Sequence, residues 1–363
     1  MSNVSIPLFD TRTPVEPLRD RIAERVAQVL DSGHFILGPE LTAFEAEFAR
    51  YLGVRHVVGV ANGTDAITIA LRAMGVPQGA EVIVPSFTFY ATAEAAVNAG
   101  AVPVFCDVDP DTRNVTADTV RAKMTPNTKA IVAVDLFGSP APCPELRELG
   151  LPVLEDAAQA AGARLGPLRA GALGDAATFS FFPSKNLGCF GDGGAIATDD
   201  DRVADLARSL RFHGSRDKQS FQHIGWNSRL DELQAAILRV LLPALDGWCD
   251  GRRAAAAVYA AAGLGQHVGL PGELPEAQPA WHLYVVTHER ADDLVRDLQA
   301  RGIQARGYYR TPLHRQSSMA RYAAGATLPV TDELAARNLA LPMSPVLTAA
   351  QAQAVVSALA EAL

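Results

Sequence analysis

The stretch AATFSFFPSKNLGCFGDGGA, residues 176–195, decides the fold. Its apolar part, 176–182, predicts a buried strand that ends at Pro183. Lys185 follows at once, before a loop that is rich in glycine. Burial would lower the pKa of such a lysine, and a neutral amine can attack a carbonyl group. The stretch therefore suggests that Lys185 holds a carbonyl cofactor as a Schiff base, although by itself it also fits a surface lysine at the end of a strand.

The composition is that of an acidic globular chain. The 363 residues are 48% hydrophobic, which predicts a sizeable core, and the formal net charge is −8. Because no cluster of lysine and arginine interrupts this negative charge, we expect no nucleic-acid partner.

Cysteine and histidine spacing predicts no metal site. The four cysteines show no CxxC or zinc-type spacing and fit reduced thiols, and the eight histidines form no HExxH pattern. The beginning of the chain, MSNVSIPLFDTRTPVEPLRD, has prolines and acids where a signal peptide would be apolar. No apolar segment is long enough to span a bilayer. We therefore expect a soluble, cytoplasmic protein with no membrane partner.

Short apolar strands alternate with helices between residues 56 and 156. The predicted strands cover 56–60, 81–84, 102–105, 129–134 and 152–154. This alternation predicts an α/β fold with a mostly parallel sheet, and the lack of polar alternation indicates helices on both faces. Pro243 and the polar run that follows it predict a boundary between a large domain, 1–245, and a smaller C-terminal α/β domain, 246–363.

Polar residues follow several of these strands, where parallel sheets bind ligands. Residues 62–65, NGTD, would place helix amides against an anion such as a phosphate; the alternative is simple capping by Thr64 or Asp65. Asp156 could face a protonated ring nitrogen or pair with an arginine. Gln159 could reach the same ligand.

Three further features fit the same kind of site. Ser180 could donate to a phosphate oxygen or bond to its own backbone. Phe89 could stack on a ring or belong to the core. The run GDGGA, 191–195, is neither GxGxxG nor a P-loop, and we interpret it as a turn that gives backbone access near Lys185.

Six segments together resemble the DegT/DnrJ/EryC1/StrS sugar aminotransferases. They are NGTDA (62–66), EVIVPSFTFYAT (81–92), EDAAQAAGA (155–163), FSFFPSKNLG (179–188), GDGGA (191–195) and NSRLDELQAAIL (227–238). The resemblance runs from PLFD at 7–10 to LP at 341–342, so it covers nearly the whole chain.

The resemblance implies fold-type I architecture: a three-layer large domain around a mostly parallel, seven-stranded sheet, with pyridoxal 5′-phosphate as cofactor. It implies a homodimer whose active sites are shared between subunits. Carried over by residue, Lys185 would form the internal aldimine and Asp156 would pair with the pyridinium nitrogen. The remaining cofactor contacts would be Phe89 on the ring, Gln159 near the ring hydroxyl, and Gly63, Thr64 and Ser180 on the phosphate.

The resemblance also assigns residues to the partner's site and to the substrate. Asn227 would reach the partner's phosphate, and Arg229 would lie in the partner's substrate cleft. Tyr309 and His314 would lie near the sugar. Two positions depart from the family pattern: Arg310 stands where proline is common, and Asp135 replaces a frequent histidine.

The implied reaction transfers an amino group from L-glutamate to a nucleotide-linked keto-sugar. The arginine in NSRLDE resembles enzymes that act on 3-oxo sugars. The alternatives are a 4-keto-sugar or a cyclitol of the scyllo-inosose type as acceptor. A dehydratase or a non-catalytic regulator is disfavoured, because dehydratase relatives replace the lysine with histidine and the chain is acidic with no helix-turn-helix pattern.

Overall fold

The structure is a computed structural model that describes residues 5–323 and 325–363. Its strands are β1 His56–Val60, β2 Glu81–Pro85, β3 Val102–Cys106, β4 Thr128–Val134, β5 Val153–Asp156, β6 Arg164–Leu165, β7 Leu168–Arg169, β8 Ala176–Ser180, β9 Gly194–Thr198, β10 Ala277–Gln278, β11 Tyr284–Thr287 and β12 Asn338–Leu341.

The α-helices alternate with these strands in the first half of the chain and dominate the second. They are α1 Arg19–Ser32, α2 Pro39–Leu52, α3 Gly63–Ala73, α4 Ala91–Asn98, α5 Ala117–Arg121, α6 Cys143–Arg147, α7 Asp201–Leu210, α8 Glu232–Leu241, α9 Leu245–Ala261, α10 Ala291–Ala300, α11 Pro329–Arg337 and α12 Ala349–Ala362.

The central sheet has seven strands in the order β1-β9-β8-β5-β4-β2-β3. Only β9 runs against its neighbours, and the other pairings are parallel. The predicted α/β class and mostly parallel seven-stranded sheet are therefore confirmed. In this order β5 and β8 are neighbours, so the ends of the strands that lead to Asp156 and Lys185 lie side by side.

Helices cover both faces of the sheet. Val82 and Val84 of β2 pack with α3, α4 and α7, whereas Ile83 between them packs on the opposite face with α5 and α6. On that opposite side, Phe44 and Phe48 of α2 pack with α8 and the underside of β8. This arrangement explains the unbroken apolar runs of the strands, because every residue of such a strand is buried.

A separate core forms in the C-terminal part. Helices α10 and α12 pack with α9 over the antiparallel pair β11–β12, with Tyr259 fully buried between them. No helix in the described part of the chain is long and apolar enough to cross a membrane.

Three local predictions differ from the structure. Strand β8 ends at Ser180 rather than Phe182, because the Lys185 turn begins with the Phe182 carbonyl. The GDGGA run is not only a turn, since its last two residues begin β9, and a Cβ on Gly194 would lie 2.4 Å from the Asn62 carbonyl oxygen. Helix α3 is capped by Asn62, not by Thr64 or Asp65.

Candidate active site

Lys185 lies in a tight turn directly beyond β8. Its backbone N–H donates to the Phe182 carbonyl at 2.8 Å, which folds the chain back over the end of the strand. Burial lowers the pKa of the ammonium group to about 8, while the nearby Asp156 carboxylate acts in the opposite direction. Among the described residues, its Nζ has no hydrogen-bond partner. A useful fraction of this lysine is therefore neutral near pH 8, as a carbonyl-binding amine requires.

Asp156 ends β5, next to β8, and its side chain is 4% exposed. One carboxylate oxygen accepts from Thr92 Oγ1 at 3.0 Å, and the other accepts from the Ala158 N–H at 3.3 Å. Burial raises the pKa of Asp156, and these two hydrogen bonds and Lys185 act against that rise. No arginine of the described residues pairs with it, so the salt-bridge alternative does not apply. A buried carboxylate without a paired cation is costly, so this carboxylate favours a cationic group of a ligand as its partner.

The start of α3 and the end of β8 approach each other closely. A Cβ on Gly63 would come within 2.8 Å of Ser180 Cβ, so only glycine fits there. The Asn62 side chain accepts from the Asp65 N–H at 2.8 Å. In the described residues the N–H groups of Gly63 and Thr64 have no acceptor. They lie in the first turn of α3, at the positive end of the helix dipole. These groups and the Ser180 hydroxyl form a cradle that suits a phosphate.

Gln159 connects the end of the central sheet with Tyr309, in the segment 307–314, here called the tyrosine segment. Its Oε1 accepts from the Phe137 N–H at 2.8 Å, and its Nε2 donates to the Tyr309 hydroxyl at 2.9 Å. The Tyr309 and Phe137 rings are stacked with centroids 5.9 Å apart, and Phe89 lies tilted against Tyr309 at 6.3 Å. Phe89 is 57% exposed, which excludes the core alternative and leaves one face of its ring open.

Asn227 and Arg229 lie on an exposed edge of this chain. Arg229 Nη2 donates to Asn227 Oδ1, and its guanidinium group lies 5.7 Å from the centre of the Phe212 ring. In the described residues no contact joins either side chain to Lys185 or Asp156. The structure thus brings these two residues together but leaves them outside the site formed by their own chain.

His314 and Arg310 are held by contacts away from the lysine. His314 is 6% exposed; its Nδ1 lies 2.7 Å from Ser86 Oγ, and its Nε2 lies 3.2 Å from Asp332. Burial lowers the pKa of His314. Arg310 donates to the carbonyl oxygens of residues 335 and 336 at the end of α11 and pairs with Asp292 at 2.6 Å. Arg310 therefore caps a helix.

Sequence reasoning missed two groups beside the lysine. Thr92, the hydroxyl partner of Asp156, is buried in the first turn of α4. On the other side, Arg252 and His282 are both buried, and Arg252 donates to the carbonyl oxygens of Trp281 and Met343 without a carboxylate partner among the described residues. Burial, Lys185 and Arg252 lower the pKa of His282, so its ring is neutral. No spacing signal in the sequence connects α9 or residue 282 with Lys185.

The residues present fit pyridoxal phosphate. An amine with a pKa of about 8, a buried carboxylate on the neighbouring strand, an anion cradle and an open aromatic face lie at one edge of one sheet. Within residues 5–323 and 325–363 no group of three histidine, cysteine, aspartate or glutamate side chains is arranged to hold a metal ion.

Comparison with known proteins agrees with this geometry. The model of the DegT/DnrJ/EryC1/StrS aminotransferase family matches residues 17–360. The dTDP-3-amino-3,4,6-trideoxy-alpha-D-glucose transaminase of Streptomyces venezuelae is 46% identical over 98% of this chain and 96% of that protein. The UDP-N-acetyl-3-dehydro-alpha-D-glucosamine 3-aminotransferase of Acidithiobacillus ferrooxidans is 46% identical over 94% of each chain.

A solved structure extends the likeness to the cofactor. NtdA from Bacillus subtilis, with bound cofactor PMP, superposes with a TM-score of 0.91 at 31% identity, over 99% of this chain and 85% of that one. The family match, the shared fold and the fitted site lead to one conclusion: the chain belongs to the DegT/DnrJ/EryC1/StrS aminotransferase family and is a pyridoxal phosphate-dependent aminotransferase.

Proposed function

We propose that this enzyme transfers an amino group from L-glutamate to the C-3 ketone of a nucleotide-linked 3-oxo sugar, in the biosynthesis of amino sugars. The observation that carries the proposal is Lys185, whose pKa burial lowers to about 8, beside Asp156, in a chain that aligns end to end with a dTDP-3-amino-sugar transaminase. Both relatives described above have names that place the nitrogen on C-3, although one carries dTDP and the other UDP. The acceptor class is therefore better supported than the nucleotide.

The cofactor residues divide the work by position. Lys185 would hold the cofactor through its aldehyde and, as a free amine, would carry the proton at the reacting carbon. When bound, pyridoxal phosphate supplies an electron sink for the carbanion that forms at the donor carbon. Asp156 would keep the ring nitrogen protonated, and the buried Thr92 hydroxyl donates a hydrogen bond that fixes this carboxylate. Phe89 would cover one ring face, and Gln159 would lie near the ring hydroxyl.

The phosphate end needs no cation from this chain. The N–H groups of Gly63 and Thr64 and the Ser180 hydroxyl would hold the phosphate, which would fix the ring without charged side chains competing near the reacting carbon. Tyr309 lies at the sugar side of the site through its bond to Gln159. His314 contributes to the sugar site through the segment that it anchors on Ser86.

We infer that the enzyme is a homodimer with shared active sites. Support comes from two exposed apolar side chains of the Asn227 edge, residues 212–229, where Ile224 is 92% and Phe221 59% exposed. Such a patch is costly in water and is typical of an interface. A second copy seated there would receive Asn227 at its phosphate and Arg229 in its substrate cleft.

The domain boundary and the location of the enzyme follow the same reasoning. We infer a large domain at residues 1–245 and a small domain at 246–363, because α9 supplies Ala255 and Tyr259 to the C-terminal core. The four cysteines are buried free thiols, which favours the reducing cytoplasm.

The test separates the two half-reactions. L-Glutamate alone should bleach the absorbance of the aldehyde form of the cofactor and release one 2-oxoglutarate per site. A panel of dTDP- and UDP-linked 3-oxo and 4-oxo sugars and scyllo-inosose should then show which acceptor regains the starting spectrum, with products identified by mass and NMR. An unchanged spectrum with glutamate would overturn the donor assignment, and amination of the cyclitol or of a 4-oxo sugar alone would overturn the acceptor.

A further inference from the structure

Two carboxyl groups lie side by side beneath the active site. In the pairing of β4 with β5, Ala133 stands opposite Glu155, and Val134 stands opposite Asp156. Asp135 follows β4 directly: its N–H donates to the Asp156 carbonyl oxygen at 3.0 Å, and its carboxyl group lies within hydrogen-bond reach of the Glu155 side chain. Asp135 and Glu155 are both 0% exposed. The pair therefore belongs to the interior of the sheet layer and not to the open cleft.

The two carboxyl groups differ in how their oxygens are satisfied. Glu155 accepts three backbone N–H groups, from Gly171 at 2.6 Å, Leu173 at 2.9 Å and Gly174 at 3.2 Å. Asp135 Oδ1 accepts one, from Ala141 at 2.8 Å, whereas Oδ2 has no N–H or O–H donor among the described residues. A proton on Oδ2 gives this atom a hydrogen-bond partner, because Asp135 can then donate to the charged carboxylate of Glu155.

The charges lead to the same assignment. Two adjacent buried carboxylates without a cation cannot both be ionised. Burial and the Glu155 charge raise the pKa of Asp135 well above its ordinary value. The other titratable groups that face it, Cys143 and Asp156, add no positive charge, and Cys143 is itself held neutral by burial.

The segment after Asp135 carries much of the substrate side. Phe137, in a left-handed backbone conformation with φ 59°, gives its N–H to Gln159 and stacks on Tyr309. The carbonyl oxygens of Phe137 and Gly138 accept the N–H groups of residues 283 and 280, from the C-terminal part of the chain. Anything that moves segment 136–141 therefore moves Gln159 and Tyr309.

We propose that Asp135 is a positioning residue of this site. Its protonated carboxyl group donates a hydrogen bond to Glu155 and so holds segment 136–141 against Gln159 and Tyr309. The inference rests on the proposed function only for its effect on turnover. The proton itself can be detected in the resting holoenzyme.

The experiment compares Asp135→Asn with the wild type. The Asn amide keeps a donor for Glu155 and an acceptor for the Ala141 N–H, but it never ionises. Since the folded pKa of Asp135 is raised, folding of the wild type binds a proton above the unfolded pKa, and its stability falls as pH rises. The Tm of the Asp135→Asn holoenzyme, relative to that of the wild type, should therefore increase as pH rises from about 5 to about 8. Its KM values and kcat should stay within about twofold of the wild-type values.

Two further measurements complete the test. The infrared carbonyl band of a protonated carboxyl group should be present in the wild type at pH 7.5 and absent in Asp135→Asn. Asp135→Leu, which keeps the size but loses both hydrogen bonds, should raise the KM for the keto-sugar about tenfold. The exposed Asp118→Asn is the matched control and should change none of these quantities.

Each of these measurements has a result that would overturn the proposal for Asp135. A Tm gap that does not widen with pH, or an infrared band unchanged by Asp135→Asn, would show that Asp135 is ionised and would overturn the proposal. A tenfold loss of turnover in Asp135→Asn would show that a neutral donor is insufficient. If Asp135→Leu does not fold, the Tm and infrared results still decide. An enzyme that aminates no keto-sugar but passes both physical tests refutes the proposed function alone.

Discussion

The cofactor cradle and the Asn227 edge differ in how complete they are within one chain. The proposed cofactor cradle, formed by Gly63, Ser180, Asp156 and Lys185, lies at the ends of β5 and β8 and at the start of α3. Its Asp156 is buried and accepts a hydrogen bond from Thr92, and its Gly63 packs closely against Ser180. The Asn227 edge, residues 212–229, carries Ile224 at 92% exposure and the side chains of Asn227 and Arg229. Within the described residues these two side chains hydrogen-bond to each other, and Arg229 lies over the Phe212 ring. The sheet preforms one half of the site, whereas the other half presents groups that the chain itself does not use.

The largest effect should come from the cradle itself. Replacement of Lys185 by alanine should abolish turnover, because among the described residues no other lysine lies at the end of β8 to bind the aldehyde or carry the proton. Loss of both half-reactions is measured by 2-oxoglutarate release and by sugar amination. Asp118→Asn, on the exposed surface, should retain full activity. Turnover in Lys185→Ala above one-thousandth of the wild type would contradict the assigned role.

The next effect tests the buried partner of the ring nitrogen. Asp156→Asn should lower kcat by at least about a hundredfold, because a neutral amide no longer holds the ring nitrogen protonated. Thr92→Val is the matched variant: it removes only the 3.0 Å hydrogen bond to Asp156, so a loss of about tenfold is expected. An Asp156→Asn enzyme as active as Thr92→Val would show that the carboxylate only supports the structure.

These cradle residues could be predicted from the sequence because each lies at or just beyond the end of an apolar strand. A continuous run such as the one before Asp156 specifies a buried strand, and parallel strands place their carboxyl ends together. The loop NGTD could be predicted in the same way, but the predicted capping residues, Thr64 or Asp65, were wrong. Asn62 caps α3 by accepting the Asp65 N–H.

Other features depend on contacts between distant parts of the chain. Strand β9 enters antiparallel between β1 and β8, and it needs glycine at 194 only because the Asn62 carbonyl approaches there. The helix α11 and strand β12 were also missed, since β12 is fixed by its pairing with β11. Arg252 and His282 reach the lysine from the C-terminal part, and no local pattern predicts that approach.

Subunit complementation tests the Asn227 edge directly. If Asn227 serves the partner's cradle, a dimer of one Lys185→Ala chain and one Asn227→Ala chain contains one site with both residues intact. Mixing the two weakly active variants under conditions of subunit exchange should restore about a quarter of wild-type activity, since half of the dimers are mixed. Each variant mixed with itself is the control. No recovery, with exchange shown by mass, would place Asn227 outside the shared site.

The pH dependence of cofactor uptake tests the amine of the cradle. The pKa of Lys185 is lowered to about 8, and the neutral amine is the form that attacks an aldehyde. The rate at which the cofactor-free enzyme takes up pyridoxal phosphate should therefore rise about tenfold per pH unit below pH 8 and level off above it. Absorbance and borohydride trapping measure this rate, and Lys185→Ala gives the untrapped background. A rise that continues unchanged to pH 10 would mean that the lysine is not desolvated.

The smallest effect concerns the link between the cradle and the tyrosine segment. Tyr309→Phe removes the hydroxyl that accepts from Gln159 at 2.9 Å, but keeps the ring stacked on Phe137. One neutral hydrogen bond corresponds to about a threefold to tenfold loss of kcat/KM for the keto-sugar. Tyr308→Phe is the matched control, because in the described residues its hydroxyl has no hydrogen-bond partner. Equal losses in the two variants would mean that the segment contributes by packing alone, and that the preformed half of the site ends at Gln159.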